Sequence, residues 1–252
     1  MKKFFIIIII FVGLMPLAFG EVFIQNDQQY IGDDNALHIV GEIINNLEVP
    51  LNQINVHVTL LDEDGNLIAI KETSSLVNTI MPGMKSPFDL VLTDNEVKKT
   101  KSYSFELDYK VSPPKNQAID ITESKLSRDN YNNLIITGTV TNRGDITANT
   151  VAVIVTLYDN EGNVAAVSRV HPEPDYLRAN DYVFFVVSIP DKIQTNGIND
   201  YTLIAESEEY AAVPEFPVGT FVLLVGTLFA YIGITKYSGR IIPNLIFVTN
   251  LK

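Results

Sequence analysis

The sequence contains no cysteine. That excludes disulfides, thiolate metal sites and a blue-copper centre. Folded modules must therefore hold by core burial alone, which about 90 residues can supply. Positive charge is also scarce, with 18 Lys and Arg against 30 Asp and Glu and a formal net charge of −12. Taking away Lys2 and Lys3 leaves −14, and taking away Lys236, Arg240 and Lys252 leaves −17 for residues 21–217. A segment this acidic repels nucleic acid and anionic surfaces, so no nucleic-acid partner is expected. Solubility in a salty exterior explains the acidity more simply than a cationic partner does.

Catalytic and ligand-binding signatures are missing as well. No Ser lies in a nucleophile-elbow pattern, and no Gly-rich phosphate loop occurs. There are 3 His. His57 alternates with an apolar set and should face solvent, as should His38, while His171 sits in the loop His171-Pro172-Glu173-Pro174. No two share a strand face at metal spacing, so no zinc site is expected. Asp62, Asp64 and Asn66 open like a calcium loop, but Thr73 stands where the closing Glu belongs. The stretch reads instead as a hairpin turn. No Asn-x-Ser/Thr sequon is present. No catalytic, cofactor-binding or metal-binding residue is expected, and no cofactor.

What the chain does have is an internal repeat. Residues 37–69, LHIVGEIINNLEVPLNQINVHVTLLDEDGNLIA, return without a gap as residues 134–166, LIITGTVTNRGDITANTVAVIVTLYDNEGNVAA. Gly138 stands 97 residues after Gly41, and Gly162 stands 97 after Gly65. A gapless repeat of this length means a duplicated unit. Ile54, Val56, Val58 and Leu60 alternate with Asn55, His57 and Thr59, and Val151, Val153, Val155 and Leu157 repeat the pattern. Period-two alternation places the apolar set on the core face of a strand. The Gly of Asp62-Glu63-Asp64-Gly65-Asn66 and of Asp159-Asn160-Glu161-Gly162-Asn163 supplies the positive φ of a tight turn. Each repeat is a unit of about 90–100 residues with several short strands, the usual size of an antiparallel sandwich.

Val155-Thr156-Leu157-Tyr158-Asp159 followed by Gly162, with Gly138-Thr139-Val140-Thr141-Asn142 before it, resembles the signature of the FxLYD family. Val155 stands where the family name has Phe, and the first copy, Val58-Thr59-Leu60-Leu61-Asp62, lacks the Tyr too. The family is a small immunoglobulin-like sandwich module on exported prokaryotic proteins without assigned chemistry. The resemblance implies an all-β chain of two tandem immunoglobulin-like sandwiches, at residues 21–111 and 118–210. Residues 112–117, with Pro113 and Pro114, form a short stiff linker. Such a connection favours a fixed head-to-tail pair.

Long apolar runs occur only at the two ends. Residues 1–20 have a basic head at Lys2 and Lys3, an apolar run and Ala18-Phe19-Gly20, which reads as a secretory signal peptide cleaved after Gly20. Residues 218–235 carry no charge. As a helix they would reach roughly 27 Å, enough to span a bilayer. Lys236 and Arg240 follow in the flank and tail, residues 236–252, and hold that side in the cytoplasm. Pro214-Glu215-Phe216 within residues 211–217, the apolar span and the basic residues resemble the PEF-CTERM sorting signals of archaeal surface proteins. That resemblance implies a sortase-like processing enzyme as a partner, although the tail 241–252 runs on beyond the usual end of such signals. The expectation is a non-catalytic cell-surface module, anchored in the cytoplasmic membrane with both sandwiches outside and facing an envelope or surface-protein partner. The alternative is an accessory subunit of a membrane enzyme or transporter.

Overall fold

The structure, a computed structural model, describes residues 20–94, 97–191, 194–198 and 200–214, together with Thr227, Phe229, Tyr231 and Ile232. The expected signal run, Glu215, Phe216, Lys236 and Arg240 lie outside the described residues. So does most of the expected membrane helix, of which Thr227, Phe229, Tyr231 and Ile232 are helical. Among the described residues no helix is long and apolar enough to cross a membrane.

The described residues from Gly20 to Pro214 belong to one compact unit, which among those residues is all-β apart from a 3₁₀ turn at Val97–Lys99. The first repeat supplies β1 (Val22–Ile31), β2 (Leu37–Asn45), β3 (Leu51–Leu61), β4 (Leu67–Ser74), β5 (Thr79–Ile80), β6 (Lys85–Leu92) and β7 (Ser102–Val111). The second supplies β8 (Ile119–Arg128), β9 (Leu134–Asn142), β10 (Ala152–Tyr158), β11 (Val164–Val170), β12 (Tyr182–Ile189), β13 (Asp200–Glu206) and β14 (Val213–Pro214). Each repeat is a two-layer antiparallel sandwich. Sheet β1-β2-β6 faces β4-β3-β7 with β5 beside β3, and sheet β12-β9-β8 faces β11-β10-β13-β14. The alternation in sequence sets which residues are inside. Val56, Val58 and Leu60 are buried while Asn55, His57 and Thr59 are half-exposed. Val153, Val155 and Leu157 occupy the second core.

The repeat extends to backbone conformation. Left-handed φ occurs at Asn26 and Glu123, Asn35 and Asn132, Gln53 and Thr150, Gly65 and Gly162, and Gly83 and Asn180, each pair standing 97 residues apart. Register shifts at Gln25/Gln28 and at Thr122/Lys125 enclose the first of these pairs. Such bulges re-aim the residues that follow. Asp27 accepts the Tyr103 hydroxyl at 2.9 Å, and Ser124 meets the Tyr201 hydroxyl at 3.0 Å. Opposite the bulges, Gly41 pairs with Phe88 and Gly138 with Phe185. A Cβ on Gly138 would stand 2.7 Å from the Phe185 ring, so the ring fills the space a side chain would take.

The turn acids close the turn itself. Asp62 accepts from Asp64 N, Asn66 N and Asn66 Nδ2 at 2.8–3.1 Å, and Asp159 accepts from Glu161 N, Asn163 N and Asn163 Nδ2 in the same way. The amides of Asn45 and Asn142 each tie a polar loop to the opposite layer. Asn45 Nδ2 donates to Val49 O and Ile80 O, and Asn142 Nδ2 to Ile146 O and Leu177 O.

Two expectations change. The sandwiches are fixed, but face to face rather than head to tail. The outer face of β1-β2-β6 packs on the outer face of β11-β10-β13, through Tyr30, Val40, Tyr158, Val164 and Val167. A second apolar cluster, with Val77, Ile154 and Ile204, extends the contact. The stiff linker is also tied down: Gln117 donates to Ala212 O, Lys115 to Glu208 O, and Asn116 O accepts from Ala211 N. His38 is half-buried rather than solvent-facing, because Tyr30 stacks on it with ring centroids 4.9 Å apart.

Candidate functional site

Strand β10 is buried on both sides, from Ala152 to Tyr158. Its inner row fills the second core, and its outer row meets the first sandwich. This outer row differs from its counterpart in the first repeat: Ala152, Ile154 and Tyr158 stand where Asn55, His57 and Leu61 stand. The near-continuous apolar run AVIVTLY is the sequence sign of a strand covered on both faces.

Two polar clusters sit in this seam. The first joins Glu42 on β2, Lys85 on β6 and Tyr158 at the end of β10. Lys85 Nζ lies 2.7 Å from Glu42 Oε1 and donates to the Tyr158 hydroxyl at 2.6 Å. That hydroxyl donates in turn to Glu42 Oε1 at 2.5 Å. Asn26 Nδ2 donates to the other carboxylate oxygen at 3.2 Å. Glu42 is 0% exposed, and a buried carboxylate is tolerated when it is paired and its lone pairs are satisfied. Burial, and then the charge of Glu42, push the Tyr158 phenol well above its ordinary range.

The second cluster joins Glu206 on β13 and Arg169 on β11 to the segment after β4. Arg169 Nη2 lies 3.2 Å from Glu206 Oε1, and Arg169 Nη1 donates to Leu76 O at 2.7 Å. Asn78 N donates to Glu206 Oε2 at 2.9 Å. Burial pushes the Glu206 carboxyl up to about 7, against the opposing pull of Arg169 and the Asn78 amide. Both clusters therefore bridge the two sandwiches. Gln28 Nε2 to Val164 O at 2.7 Å adds a third tie.

Sequence reasoning did not single out Glu42, Lys85, Arg169 or Glu206, and it named Tyr158 only as part of the FxLYD-like motif. The available signal was the broken alternation in β10. The residues it did name are scattered. His57 Nε2 lies 3.0 Å from Asp108 and its Nδ1 3.8 Å from Glu72, on the outer face of the first sandwich. His38 lies between Asp89 at 3.1 Å and Asp34 at 3.3 Å. The hydrogen bond to Asp89 holds its pKa above the usual imidazole value. His171 Nδ1 meets Val151 O at 2.9 Å. Among the described residues no group of three or more His, Cys, Asp or Glu could hold a metal ion. Pro214 pairs with Ile204 in β14, so the first residue of the Pro214-Glu215-Phe216 motif belongs to the sheet. Surface clefts are open. One of about 330 Å³ is lined by Asn52, Asn55, Ser74, Asn78 and Lys115, and another of about 670 Å³ by the loop from His171 to Asp175.

No family model matches the chain, and no curated protein matches it. Among solved structures the chain is similar to red sea bream transglutaminase at 8% identity and a TM-score of 0.26, covering 79% of this chain and 31% of that one. It is similar to the exo-chitosanase CsxA of Amycolatopsis orientalis at 13% identity and a TM-score of 0.30, covering 78% of this chain and 26% of that one. The chain thus spans about a third or less of the length of these proteins.

Proposed function

We propose that the chain is a non-catalytic surface module: two immunoglobulin-like sandwiches of FxLYD type, welded into one stiff body and held at the cytoplasmic membrane facing outward. The observation that carries this reading is the use made of the buried acids. Glu42 and Glu206 are the buried carboxylates of the described residues, and each binds atoms of the opposite sandwich. Their chemistry is directed at rigidity, and neither lines the two surface clefts: the first is lined mainly by amides, hydroxyls and a lysine, and the second by the loop from His171 to Asp175, whose Glu173 and Asp175 are exposed.

Export and anchoring rest on the sequence: the basic head and apolar run of residues 1–20, the uncharged residues 218–235, and Lys236 and Arg240 after them. In the PEF-CTERM-like reading, a sortase-like enzyme cuts near Pro214-Glu215-Phe216. The pairing of Pro214 with Ile204 favours retention of β14 in a processed product. Protease added to intact cells tests the topology and should digest both sandwiches. Protection of the sandwiches together with an accessible C-terminal tag would overturn it. Intact-mass analysis of the membrane-extracted protein distinguishes a chain ending just after Pro214 from one ending at Lys252.

A further inference from the structure

The two repeats differ at one sheet edge. In the second, β13 is paired on both sides: with β10 through Val153↔Ala205 and Val155↔Leu203, and with β14 through Ile204↔Pro214 and Ala205↔Val213. The core residues beside that edge, Ile119, Ile121, Leu203 and Ala205, are 0%, 6%, 0% and 0% exposed. In the first repeat β7 takes the place of β13, with Val56↔Leu107 and Val58↔Phe105. Among the described residues no strand pairs with the other side of β7. The matching core residues, Val22, Ile24, Phe105 and Leu107, are only partly buried. Farther along β7, Tyr109 and Val111 are 41% and 66% exposed.

This open edge carries a cleft. Between β1 and β7 lies a hollow of about 510 Å³, lined by Val22, Phe23, Ile24, Phe105, Leu107 and Tyr109. An edge strand also presents unpaired N–H and C=O groups. Apolar pockets beside free backbone groups suit an extended peptide that adds as a further strand. Its main chain hydrogen-bonds to the edge, and its alternate side chains enter the pockets. Within the chain itself, β14 adds to β13 in this way.

Charge selects the occupant. In the outward row of β7, Glu106 and Asp108 stand beside the cleft and are exposed, and Lys110 follows. His57 meets Asp108 at 3.0 Å. Glu106 has no ion pair among the described residues. Two β7 edges laid antiparallel would bring acid against acid, which is unfavourable on neighbouring strands. The segment that covers β13, residues 211–217, carries Glu215 and no base. We propose that the free edge of β7 docks an extended basic segment of a partner protein, in which apolar residues alternate with Lys or Arg. It adds antiparallel to β7 over about five or six residues, the usual strand length. Its apolar residues fill the cleft, and its basic residues lie beside Glu106 and Asp108. Docking here is independent of how the chain is anchored, so the two readings fail separately.

Two short fluorescein-labelled peptides, one alternating Val and Lys and one alternating Val and Glu, are titrated into the purified full chain and followed by anisotropy. The Lys peptide should bind at least tenfold more tightly. Placing Pro at its middle Val removes an N–H and bars strand pairing, and should weaken binding at least tenfold at unchanged charge. The double variant Glu106→Lys, Asp108→Lys changes two exposed residues, and its melting temperature should match that of the parent. Its preference should reverse to the Glu peptide, although the chain as a whole stays acidic. A Lys peptide bound equally by parent and double variant would trace to overall charge and overturn the proposal. So would equal binding of the Pro peptide, or no binding of either peptide. Self-association of the chain that the double variant abolishes would make a second copy the occupant and overturn it too.

Discussion

The hydroxyl of Tyr158 donates to the carboxylate of Glu42, and the two residues belong to different sandwiches. Lys85 reaches both. Tyr158→Phe removes the hydrogen bond to the Glu42 carboxylate together with the one accepted from Lys85, and the loss of the charged acceptor alone should cost about 1.5–3 kcal/mol. Glu42 keeps Lys85 in that variant. Lys85→Ala leaves a buried carboxylate without its cation and should cost more, even though Lys85 is itself partly exposed. Urea denaturation of the two variants checks the order, and an equal or smaller loss for Lys85→Ala would count against the seam as described.

Glu206 gives the unit a pH dependence of known sign. Its carboxyl is raised to about 7 by burial, so the folded protein binds this proton more tightly than the unfolded chain does. The corresponding stability is fully present below the unfolded value of about 4.3 and is lost as pH rises through 7. The loss is of the order of 3 kcal/mol. Melting temperatures taken between pH 5 and pH 8 should fall with rising pH, and Glu206→Gln should flatten that slope. His38, whose pKa is also raised by its carboxylate partner, acts in the same direction and remains in the variant.

Two glycines should fail for different reasons. At Gly162, φ is +89° and a Cβ would meet nothing within 4 Å. Gly162→Val should therefore cost about 1 kcal/mol or more through backbone strain alone. At Gly138 a Cβ would meet the Phe185 ring at 2.7 Å. Gly138→Ala should cost about 1–3 kcal/mol by overpacking, and Phe185→Leu in the same chain should recover part of it. A double-mutant cycle measures that coupling, and strict additivity would refute it.

Thr150 holds a φ of +51°, a conformation that β-branched residues rarely adopt. Its one contact of note is an exposed hydrogen bond to Glu208. Thr150→Gly should stabilise the protein by roughly 1 kcal/mol. A lowered melting temperature would show that the hydroxyl matters more than the strain.

Ile154 and His57 occupy the same place in the two repeats. Ile154 is 0% exposed, so Ile154→Ala should cost about 2–5 kcal/mol. His57→Ala, on a face open to solvent, should stay within about 1 kcal/mol. Equal losses would mean that the seam is not formed in solution.

The sequence by itself determined which residues face each sandwich core and where the turns fall. Strict alternation leaves Val56, Val58 and Leu60 no other stable side, because a slip of one residue would expose the whole set. Gly65 and Gly162 were legible because their turns demand positive φ, which glycine adopts at least cost. The same left-handed geometry at Glu123, in the bulge of β8, and at Thr150, just before β10, was not legible, since neither residue type announces it. Only the tertiary structure decided that the outer rows of β2, β6, β10 and β13 meet. Glu42, Lys85, Arg169 and Glu206 read as ordinary solvent-side residues in a period-two pattern, and such a pattern describes one sheet at a time. Whether an outward carboxylate meets water or a phenol depends on a second sheet laid across it, a long-range contact that no local spacing encodes.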